Sequence, residues 1–405
     1  MSKLDEMIQE LCPDGVQFLR IPELFTTRNG YTPSKANSEF WENGTIPWFR
    51  MEDIRANGRI LTEATQCVSK KAVKGRVFPE NSIIVATSAT IGEHALIKVP
   101  SLANQRFTYL VLKDEFKSSV DMMFIFYYCF KLDEYCKTHL NQGNFASVDM
   151  KQFAEFKFPV PPLPVQREIV RILDNFTELT AELTAELTAR KQQYAYYRDK
   201  LLHNATTTVY KRLGDFCDLL SGFPFDSSKF KEDGIRLMRG MNIKRGYLDF
   251  AEENNRYWES TDGIEKYLLN DQDIVISMDG SLVGSSYGMV SKKDLPLLLV
   301  QRVTRIRTNQ ANIRYVYHYI ASGRFTEYVH KKKTAGAIPH ISLKDIFNFE
   351  VPLPSLEVQK RLVEVLGNFD AICSDLKIGL PAEIEARQKQ YEYYRDKLLT
   401  FTPAD

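Results

Sequence analysis

The sequence predicts an α+β fold with two similar domains in tandem, separated by two long helices that pack as an antiparallel coiled coil with pseudo-two-fold symmetry. Two observations predict this fold. A proline-rich stretch followed by a helical heptad pattern occurs twice, and the region before each copy mixes short β-type runs with helical ones. The 405 residues leave room for about two to four domains of ordinary size.

The internal repeat is the strongest signal in the chain. The segment FKFPVPPLPVQREIVRILDNF, which begins at Phe156, corresponds to FEVPLPSLEVQKRLVEVLGNF, which begins at Phe349. The copies match again further on, where ARKQQYAYYRDKLL at 189–202 corresponds to ARQKQYEYYRDKLL at 386–399. The predicted division is a first domain at 1–157, a central helical region at 158–208, a second domain at 209–350 and a C-terminal helical region at 351–405.

Each domain is predicted to contain buried strands and amphipathic or buried helices. The clearest strands are Ser82–Ala86 and Asp273–Ser277, and the clearest helices are Met122–Lys137 and Ile313–Ala321. Each of these strands is followed by a short glycine-containing loop, which is a common position for binding residues: Thr87–Gly92 and Met278–Gly284.

The central region predicts one long helix, because it contains neither Gly nor Pro between Val165 and Leu202. Its apolar residues follow the three- and four-residue steps of a coiled-coil seam: Ile169, Ile172, Phe176, Leu179 and Leu183. The second copy has the same steps at Leu362, Val365, Phe369 and Ile372. Gly379 and Pro381 then predict a break and a fresh helix from Pro381 to about Leu399. The two seams should pack on each other, although each helix could instead pack only on its own domain.

A tandem of two identical four-residue units lies inside this helix, Thr180-Ala-Glu-Leu183 and Thr184-Ala-Glu-Leu187. One unit adds about 6 Å of helix and about 40° of rotation beyond one turn. A base pair of DNA turns by a similar angle, since one turn holds about 10 base pairs. The tandem is therefore predicted to act as a spacer between the domains, with low-complexity helical filler as the alternative. The spacer residues are Thr180, Leu183, Thr184 and Leu187.

Composition is that of a globular protein that is kept reduced. Hydrophobic residues make up 44% and charged residues 26%, and a net charge of only +1 means that overall basicity does not argue for nucleic acid. The six cysteines include no C-x-x-C pair. Because the longest apolar run, Met122–Phe130, is too short to cross a bilayer, we expect a cytoplasmic protein with no membrane partner.

Local basic stretches are the candidates for contact with nucleic acid. The segment from Gln301 to Lys333 contains eight Arg and Lys residues against one acidic residue, Glu327. Several polar residues recur at equivalent places in the two copies, where base contact, phosphate contact, a salt bridge or a helix cap would each explain them. The residues predicted to bind DNA are Arg50, Lys70, Lys71, Lys74, Arg76, Gln105, Arg106, Arg239, Gln301, Arg302, Arg305, Lys331, Lys332 and Lys333.

Together these segments resemble the specificity subunit of type I restriction-modification enzymes. The resemblance rests on PLPVQREIVRILDNF, the TAEL tandem and the two YYRDKLL endings, and its layout covers the whole chain. It implies a non-catalytic subunit with two target-recognition domains, which bind a split site in double-stranded DNA with one half-site each. It further implies two modification subunits, which methylate adenine using S-adenosylmethionine, and restriction subunits, which cleave DNA using ATP and magnesium.

The YYRDKLL endings stay alike while the domains diverge, so they are expected to bind the modification subunits. The residues concerned are Tyr196, Tyr197, Tyr393 and Tyr394.

The sequence lacks the motifs that would give this chain an activity of its own. It contains no N-P-P-[YF], no G-x-x-x-x-G-K-[ST] and no H-E-x-x-H. We therefore expect a chain that is not an enzyme and that holds no cofactor and no metal. Two other interpretations stay open: the DNA-reading part of a bifunctional restriction enzyme, and a coiled-coil adaptor that binds protein rather than DNA.

Overall fold

The structure, a computed structural model, describes residues 3–141, 146–203, 209–334, 336, 338–374 and 379–404. The chain divides into two compact units: unit 1 is Met1–Glu182 with Glu385–Asp405, and unit 2 is Leu183–Ile384. Each unit therefore contains an α+β domain together with segments of the long helices. The four-part division that the sequence predicts, with helical regions of their own, stays a prediction.

The helices include the longest elements of the chain. Within the described residues they are α1 (Lys3–Leu11), α2 (Ile21–Leu24), α3 (Met51–Asn57), α4 (Met122–Thr138), α5 (Met150–Glu155), α6 (Leu163–His203), α7 (Leu213–Phe216), α8 (Ile313–Ile320), α9 (Gly323–Lys332), α10 (Leu343–Phe347), α11 (Leu356–Ser374) and α12 (Leu380–Leu398). The predicted long helix, the fresh C-terminal helix and both predicted domain helices are confirmed. The residues between α11 and α12, where the break was expected, lie outside the described part of the chain apart from Gly379.

The strands are short. In unit 1 they are β1 (Phe18–Arg20), β2 (Phe25–Asn29), β3 (Ile46–Phe49), β4 (Ile60–Leu61), β5 (Cys67–Val68), β6 (Ser82–Ala86), β7 (His94–Ile97), β8 (Leu102–Ala103), β9 (Phe107–Leu112) and β10 (Lys157–Pro159). In unit 2 they are β11 (Tyr210–Arg212), β12 (Asp218–Ser221), β13 (Ile235–Met238), β14 (Tyr257–Trp258), β15 (Ile274–Ser277), β16 (Tyr287–Met289), β17 (Leu297–Leu299), β18 (Val303–Arg307) and β19 (Glu350–Pro352). The two strands expected from the sequence are confirmed as β6 and β15.

The two units share one sheet plan. Unit 1 has sheets in the order β2-β9-β6-β7-β4, β5-β3-β8 and β1-β10, and unit 2 has β12-β18-β15-β16, β14-β13-β17 and β11-β19. In both units the central strand of the largest sheet pairs antiparallel with its neighbours, whereas the small three-stranded sheet contains a parallel pair, β3 with β8 and β13 with β17. The duplication seen in the sequence is thus a duplication of topology.

The central strands β6 and β15 are buried on both faces, which explains why their sequences are continuous apolar runs. In unit 1, Ile83 faces the core that contains α4, whereas Ile84 faces the core that contains β3 and β8. In unit 2, Ile274 lies with α8 and Val275 lies with β13 and β17. A strand covered by a helix on one side and a second sheet on the other shows no polar alternation.

Segments of the long helices pack within each unit. In unit 2 the ring of Phe369 lies 6.2 Å from the ring of Tyr197, and Cys373 lies within electrostatic range of Lys191. From Phe369 to Cys373 along α11, the neighbouring residue of α6 goes back from Tyr197 to Lys191. This part of α6 and α11 therefore run antiparallel. In unit 1 the equivalent pair, Phe176 and Tyr394, has ring centroids 5.5 Å apart.

The predicted seam of α11 is only partly covered. Val365 and Ile372 are exposed, although the heptad pattern placed them at the packing face. In unit 1, by contrast, Val165 and Ile169 of α6 are buried in a core that includes Leu4 of α1. The heptad rule counts apolar steps but does not tell which of them receive a neighbour.

The two ends of the chain meet inside unit 1. The Val16 N–H donates to the Thr402 carbonyl at 2.9 Å, and the Ala404 N–H donates to the Val16 carbonyl at the same distance. The ammonium group of Lys131 in α4 donates to the Leu399 carbonyl at 2.7 Å. Unit 1 is therefore assembled from both ends of the sequence.

A buried glutamine joins each long helix to its domain. The Gln166 side chain accepts from the Asp121 N–H at 2.8 Å and donates to the carbonyls of Ser119 and Pro161, at 2.8 and 2.7 Å. The Gln359 side chain does the same in unit 2: it accepts from the Asn312 N–H at 2.8 Å and donates to the Pro354 carbonyl at 2.7 Å. These bonds hold the start of each helix against the loop before α4 or α8.

Replacing Gln166 by leucine should lower the free energy of unfolding of unit 1 by about 3 kcal/mol. The change leaves a buried N–H and two carbonyls without their partner, and each buried unsatisfied group costs about 1–3 kcal/mol. Urea-dependent amide hydrogen exchange, read separately for each unit, measures the loss. The control is Gln9→Leu on the exposed side of α1, which should change stability by less than about 0.5 kcal/mol. Equal losses in the two variants would contradict the anchoring role.

Candidate DNA interface

In each unit, the loop after the central strand lies beside the segment that leads into the next strand. The Thr87 N–H donates to the Arg106 carbonyl at 2.9 Å in unit 1, and the Met278 N–H donates to the Arg302 carbonyl at 2.8 Å in unit 2. The two predicted loops and the two Gln-Arg pairs are therefore neighbours, at the same end of the same strand in both units.

A third segment closes each loop from the other side. Val148 in unit 1 and Ile341 in unit 2 each donate an N–H to these loops at 2.9 Å. The turn residues Ala89 and Gly280 are both left-handed, with φ of 65° and 98°. The two loops thus share their backbone hydrogen bonds and their turn. They present different side chains on the same backbone conformation.

Arg50 and Arg239 stand where the middle strand of the small sheet ends. The Arg50 N–H donates to Asp53 Oδ2 at 2.7 Å, and the Arg239 N–H donates to Asn242 Oδ1 at 3.2 Å. In each case a side chain three residues later accepts from the backbone, so that the chain turns sharply and the arginine lies at the strand end. The helix-cap interpretation thus applies to the backbone of these residues and leaves their guanidinium groups available.

Backbone bonds bring the Gln-Arg pairs to the same strand ends. The Asn104 N–H donates to the Phe49 carbonyl at 3.0 Å, and the Val300 N–H donates to the Met238 carbonyl at 3.2 Å. Arg50 therefore lies close to the segment that carries Gln105 and Arg106. In unit 2, Arg239, Gln301 and Arg302 line one groove.

The groove of unit 2 has a volume of about 560 Å³ and is open to solvent. Basic and amide groups line it together with the loop after β15. A groove of this composition offers several hydrogen-bond donors at once, which suits an acceptor-rich ligand such as the edge of a nucleic acid. The charged and amide residues of the lining are Arg239, Lys244, Gln301 and Arg302, with one carboxylate, that of Asp279.

The guanidinium of Arg239 is half-buried and makes no ion pair among the described residues. It lies 5.7 Å from the ring of Phe230. Burial lowers the pKa of the Arg239 guanidinium, and the neighbouring Arg256 guanidinium lowers it further. A partly desolvated cation beside another cation gains from any anion or acceptor that enters the groove.

The corresponding arginine of unit 1 has an acidic neighbour as well as an aromatic one. The Arg50 guanidinium lies 5.6 Å from the ring of Trp48, and its Nε lies 4.0 Å from Glu52 Oε2. That Nε is buried and forms no hydrogen bond. Gln105 is engaged, because its side-chain carbonyl accepts from the Thr32 hydroxyl, whereas the Arg106 side chain is exposed.

The basic stretch of unit 1 joins this region through Tyr31. The Lys74 N–H donates to the Tyr31 hydroxyl at 2.7 Å, and the Tyr31 N–H donates to the carbonyl of Ala103 at 2.8 Å. Lys70 and Lys71 lie in a short 3-10 turn, and Lys71 pairs with Glu39 at 3.0 Å. The four predicted cations here are all exposed: Lys70, Lys71, Lys74 and Arg76.

The basic stretch of unit 2 ends α9, which packs on the loop of the groove. The Thr326 hydroxyl donates to the Gly284 carbonyl at 3.0 Å, and the segment after α9 returns to Asp279 through a bridge with His340. Lys331 and Lys332 are exposed and Lys333 is half-buried. These cations lie on the element that borders the groove.

Arg305 lies away from the groove surface. It stands in the middle of β18, is buried, and pairs with Asp218 of the adjacent strand β12. Burial lowers the pKa of its guanidinium. A buried, paired arginine is part of the sheet, so the prediction that Arg305 binds DNA is not supported by its position.

Sequence reasoning missed three polar groups near the groove of unit 2, namely Lys244, Arg256 and Asp279. Asp279 lies in the loop that the sequence did single out, so its carboxylate was recognisable as a loop residue but not as a groove residue. Lys244 and Arg256 belong to the divergent region between β13 and β15, where the two copies cannot be matched residue by residue.

Nothing in the described ranges forms a metal site: no group of three or more His, Cys, Asp and Glu side chains is placed to hold an ion. Across the same ranges, no helix is both long enough and apolar enough to cross a membrane.

Comparison with known proteins agrees with this duplicated architecture. The chain matches the family model described as type I restriction modification DNA specificity domain twice, at residues 13–190 and 206–386. It is 39% identical over 396 residues to the EcoprrI specificity subunit of Escherichia coli, covering 93% of each chain. It is 34% identical over 276 residues to the EcoR124I/EcoR124II specificity subunit of the same species, covering 64% of this chain and 68% of that one.

Solved structures show the same fold. A chain from a type I R-M system, solved in work on its complex assembly and conformational transition, matches with a TM-score of 0.67 at 17% identity, covering 96% of this chain and 98% of that one. The HsdS subunit of Thermoanaerobacter tengcongensis matches with a TM-score of 0.51 at 16% identity, covering 96% and 97%. With two matched domains that together span most of the sequence, the chain belongs to the family of type I restriction-modification specificity subunits.

Proposed function

We propose that each unit reads one half of a bipartite site in double-stranded DNA, through the surface around Arg50 in unit 1 and through the groove beside Arg239 in unit 2. The observation that carries this proposal is the recurrence of an arginine and a Gln-Arg pair at the same strand ends of two domains whose surroundings diverge. Arginine and glutamine side chains are the ones that pair bidentately with guanine and adenine in the major groove.

The exposed lysines lie next to these two DNA-binding surfaces and contact phosphates of the DNA. Lys70, Lys71 and Lys74 serve unit 1, and Lys331 and Lys332 serve unit 2. Phosphate contacts position a protein on the duplex without reading sequence, and they weaken steeply as salt rises. Arginine and amide groups thus contact the base edges, whereas lysines contact the DNA backbone.

The chain selects the DNA site, and its partner subunits carry out the catalysis. Two modification subunits bind the helical regions and methylate adenine, and restriction subunits join them for cleavage, all in the cytoplasm. The support is the exposure of apolar and aromatic side chains on these helices, since large exposed apolar groups mark interaction sites. They include Tyr196, Tyr197, Val365, Ile372, Tyr393 and Tyr394.

Exchanging Leu213–Asn348 for the matching region of a relative should change one half-site and leave the other as it was. These joints keep β11 and β19, which pair with each other, from the same parent. The exchanged segment contains the whole groove of unit 2, together with its loop and α9. The half-site read by unit 2 should therefore become that of the relative. Mapping methylated adenines in cells that express the chimera with both partner types gives the new motif.

The control for this exchange is the matching replacement of Ile21–Glu155 in unit 1, which should change the other half-site. A change in both half-sites after either exchange would contradict independent reading.

Inserting one more Thr-Ala-Glu-Leu after Leu187 should lengthen the unspecified spacer between the half-sites by about one base pair, and deleting one unit should shorten it. The unit division falls between Glu182 and Leu183, inside the tandem, so an inserted turn changes the helix that both units share. Each insertion adds about 6 Å and about 40° of net rotation. Methylation mapping reads the spacer directly.

The length control for the tandem is Thr184→Ala with Glu186→Gln, which keeps the number of residues and should keep the spacer. An unchanged spacer after insertion would mean that the tandem is helical filler.

Replacing Tyr196 and Tyr393 together by serine should weaken the binding of modification subunits by at least about tenfold, since a buried tyrosine anchor is worth about 1–2 kcal/mol or more. These residues are 61% and 63% exposed. Tyr247, in the recognition part of unit 2 and also 61% exposed, provides the matched control as Tyr247→Ser. Native mass spectrometry of the purified complex counts the subunits. Two bound subunits at unchanged affinity in the double variant would refute this docking site.

A further inference from the structure

A carboxylate lies in the otherwise basic groove of unit 2. Asp279 Oδ2 is 3.2 Å from Nη1 of Arg302, and the two side chains are 24% and 60% exposed. An exposed ion pair contributes little to stability, commonly about 0–1 kcal/mol. An acidic group where DNA is to bind also repels phosphates. The Asp279–Arg302 ion pair is therefore better explained by a role in DNA binding than by a role in stability.

Both ends of this ion pair are held by the backbone. Asp279 forms a bridge with His340, and the Gly280 N–H that follows donates to the Pro339 carbonyl at 3.1 Å. Arg302 has a left-handed backbone, with φ of 66°, which is uncommon for a residue with a side chain. The backbone thus fixes where the two side chains begin, and the 3.2 Å contact with Asp279 is what restricts the guanidinium.

Unit 1 has no acidic residue at this place. Ser88 follows β6 as Asp279 follows β15, and each makes the corresponding bridge, Ser88 with Ser147. Gly240 also distinguishes unit 2: a Cβ there would lie 2.8 Å from Ser277 Oγ and 3.7 Å from Asp279 Oδ1. The equivalent residue of unit 1, after Arg50, is the larger Met51. The carboxylate and a close approach to the backbone at Gly240 thus occur together in unit 2, where unit 1 has Ser88 and Met51.

The remaining donors of Arg302 suit a base edge. Asp279 engages Nη1, while Nε and Nη2 have no hydrogen-bond partner among the described residues. Two parallel N–H groups of an arginine match the O6 and N7 acceptors of guanine in the major groove. A phosphate approaching the same edge would meet the Asp279 carboxylate, whereas a base edge carries no net charge.

We infer that Asp279 orients Arg302 so that this arginine reads a single G·C base pair in the half-site that belongs to unit 2. Asp279 is a positioning and selectivity residue: it holds Nη1, directs the free edge toward the bases and disfavours a phosphate contact. Arg106 of unit 1 lacks this restraint because Ser88 stands in the place of the carboxylate. This inference rests on the proposed function of the groove.

The test compares sequence selection by the full chain, co-expressed with its modification subunits, from a duplex library with randomised positions. The variants are Asp279→Asn, which removes only the charge, and Asp279→Ser, which introduces the residue that unit 1 already accommodates. Arg302→Lys keeps the charge and removes the bidentate edge. Asp262→Asn is the matched control, since this exposed carboxylate of unit 2 is no part of the groove.

In both Asp279 variants, the preference for G·C at one position should fall by about 5- to 150-fold, the ratio that corresponds to the 1–3 kcal/mol of a bidentate base contact. Arg302→Lys should lose preference at the same position. Affinity for random duplex should rise in the Asp279 variants, because a repulsive charge is gone. The other half-site should stay unchanged, which also shows that the variant chains are folded, and Asp262→Asn should select the wild-type motif.

Three results would overturn the inference: a wild-type half-site for unit 2 without a G·C pair, an unchanged preference in both Asp279 variants, or a loss of affinity that is equal for all sequences. If Asp279→Asn does not fold, Asp279→Ser decides alone. Failure of the proposed function is distinguishable, since the wild-type complex would then select no bipartite motif at all.

Discussion

The buried amide of one glutamine at the start of each long helix is the contact on which the arrangement of each unit depends. Gln166 and Gln359 join the first turn of α6 and α11 to the loop that precedes α4 and α8. The helices α4 and α8 cover the central strands β6 and β15, and each of these strands leads into the loop at the proposed DNA-binding surface. Because a buried amide tolerates few alternative geometries, the helix and the loop after the central strand keep a defined relation in each unit. The proposed spacing role of α6 requires that the helix be firmly joined to the domains.

The same backbone frame supports two different surfaces. The loops after β6 and β15 share their hydrogen bonds to the Gln-Arg segment and their left-handed turn. Their side chains differ, with Ser88 in one and Asp279 in the other. Backbone bonds do not depend on side-chain identity, so residues in the groove can change without loss of the frame. This separation allows the side chains of the loop to change while the attachment of the loop stays the same.

The sequence predicts the frame well and the groove only in part. The bounds of α6 follow from a long stretch without Gly or Pro, and β6 and β15 follow from continuous apolar runs. The burial of Arg305 was not predictable, because its partner Asp218 is distant in sequence and because a strand buried on both faces shows no polar alternation that would assign its side chains. The groove residues come from segments that only the fold brings together, such as Arg239 with Arg302. The sequence matched these residues between the two copies but did not show that they lie side by side.

The duplication extends to the sheet plan, apart from the additional strand β4 of unit 1, but not to chain connectivity. This difference in connectivity has a physical consequence. Unit 2 is one continuous stretch, whereas unit 1 combines the first 182 residues with the segment from Glu385 onward. Its core includes Tyr391 and Leu399, and Arg395 lies 4.6 Å from the ring of Phe130. Contacts between such distant segments carry a loop-closure cost that local contacts do not. Unit 2 can therefore form as soon as its own stretch is synthesised, while unit 1 is completed only when α12 arrives. The two units share a sheet plan, but the core of unit 1 depends on both ends of the chain.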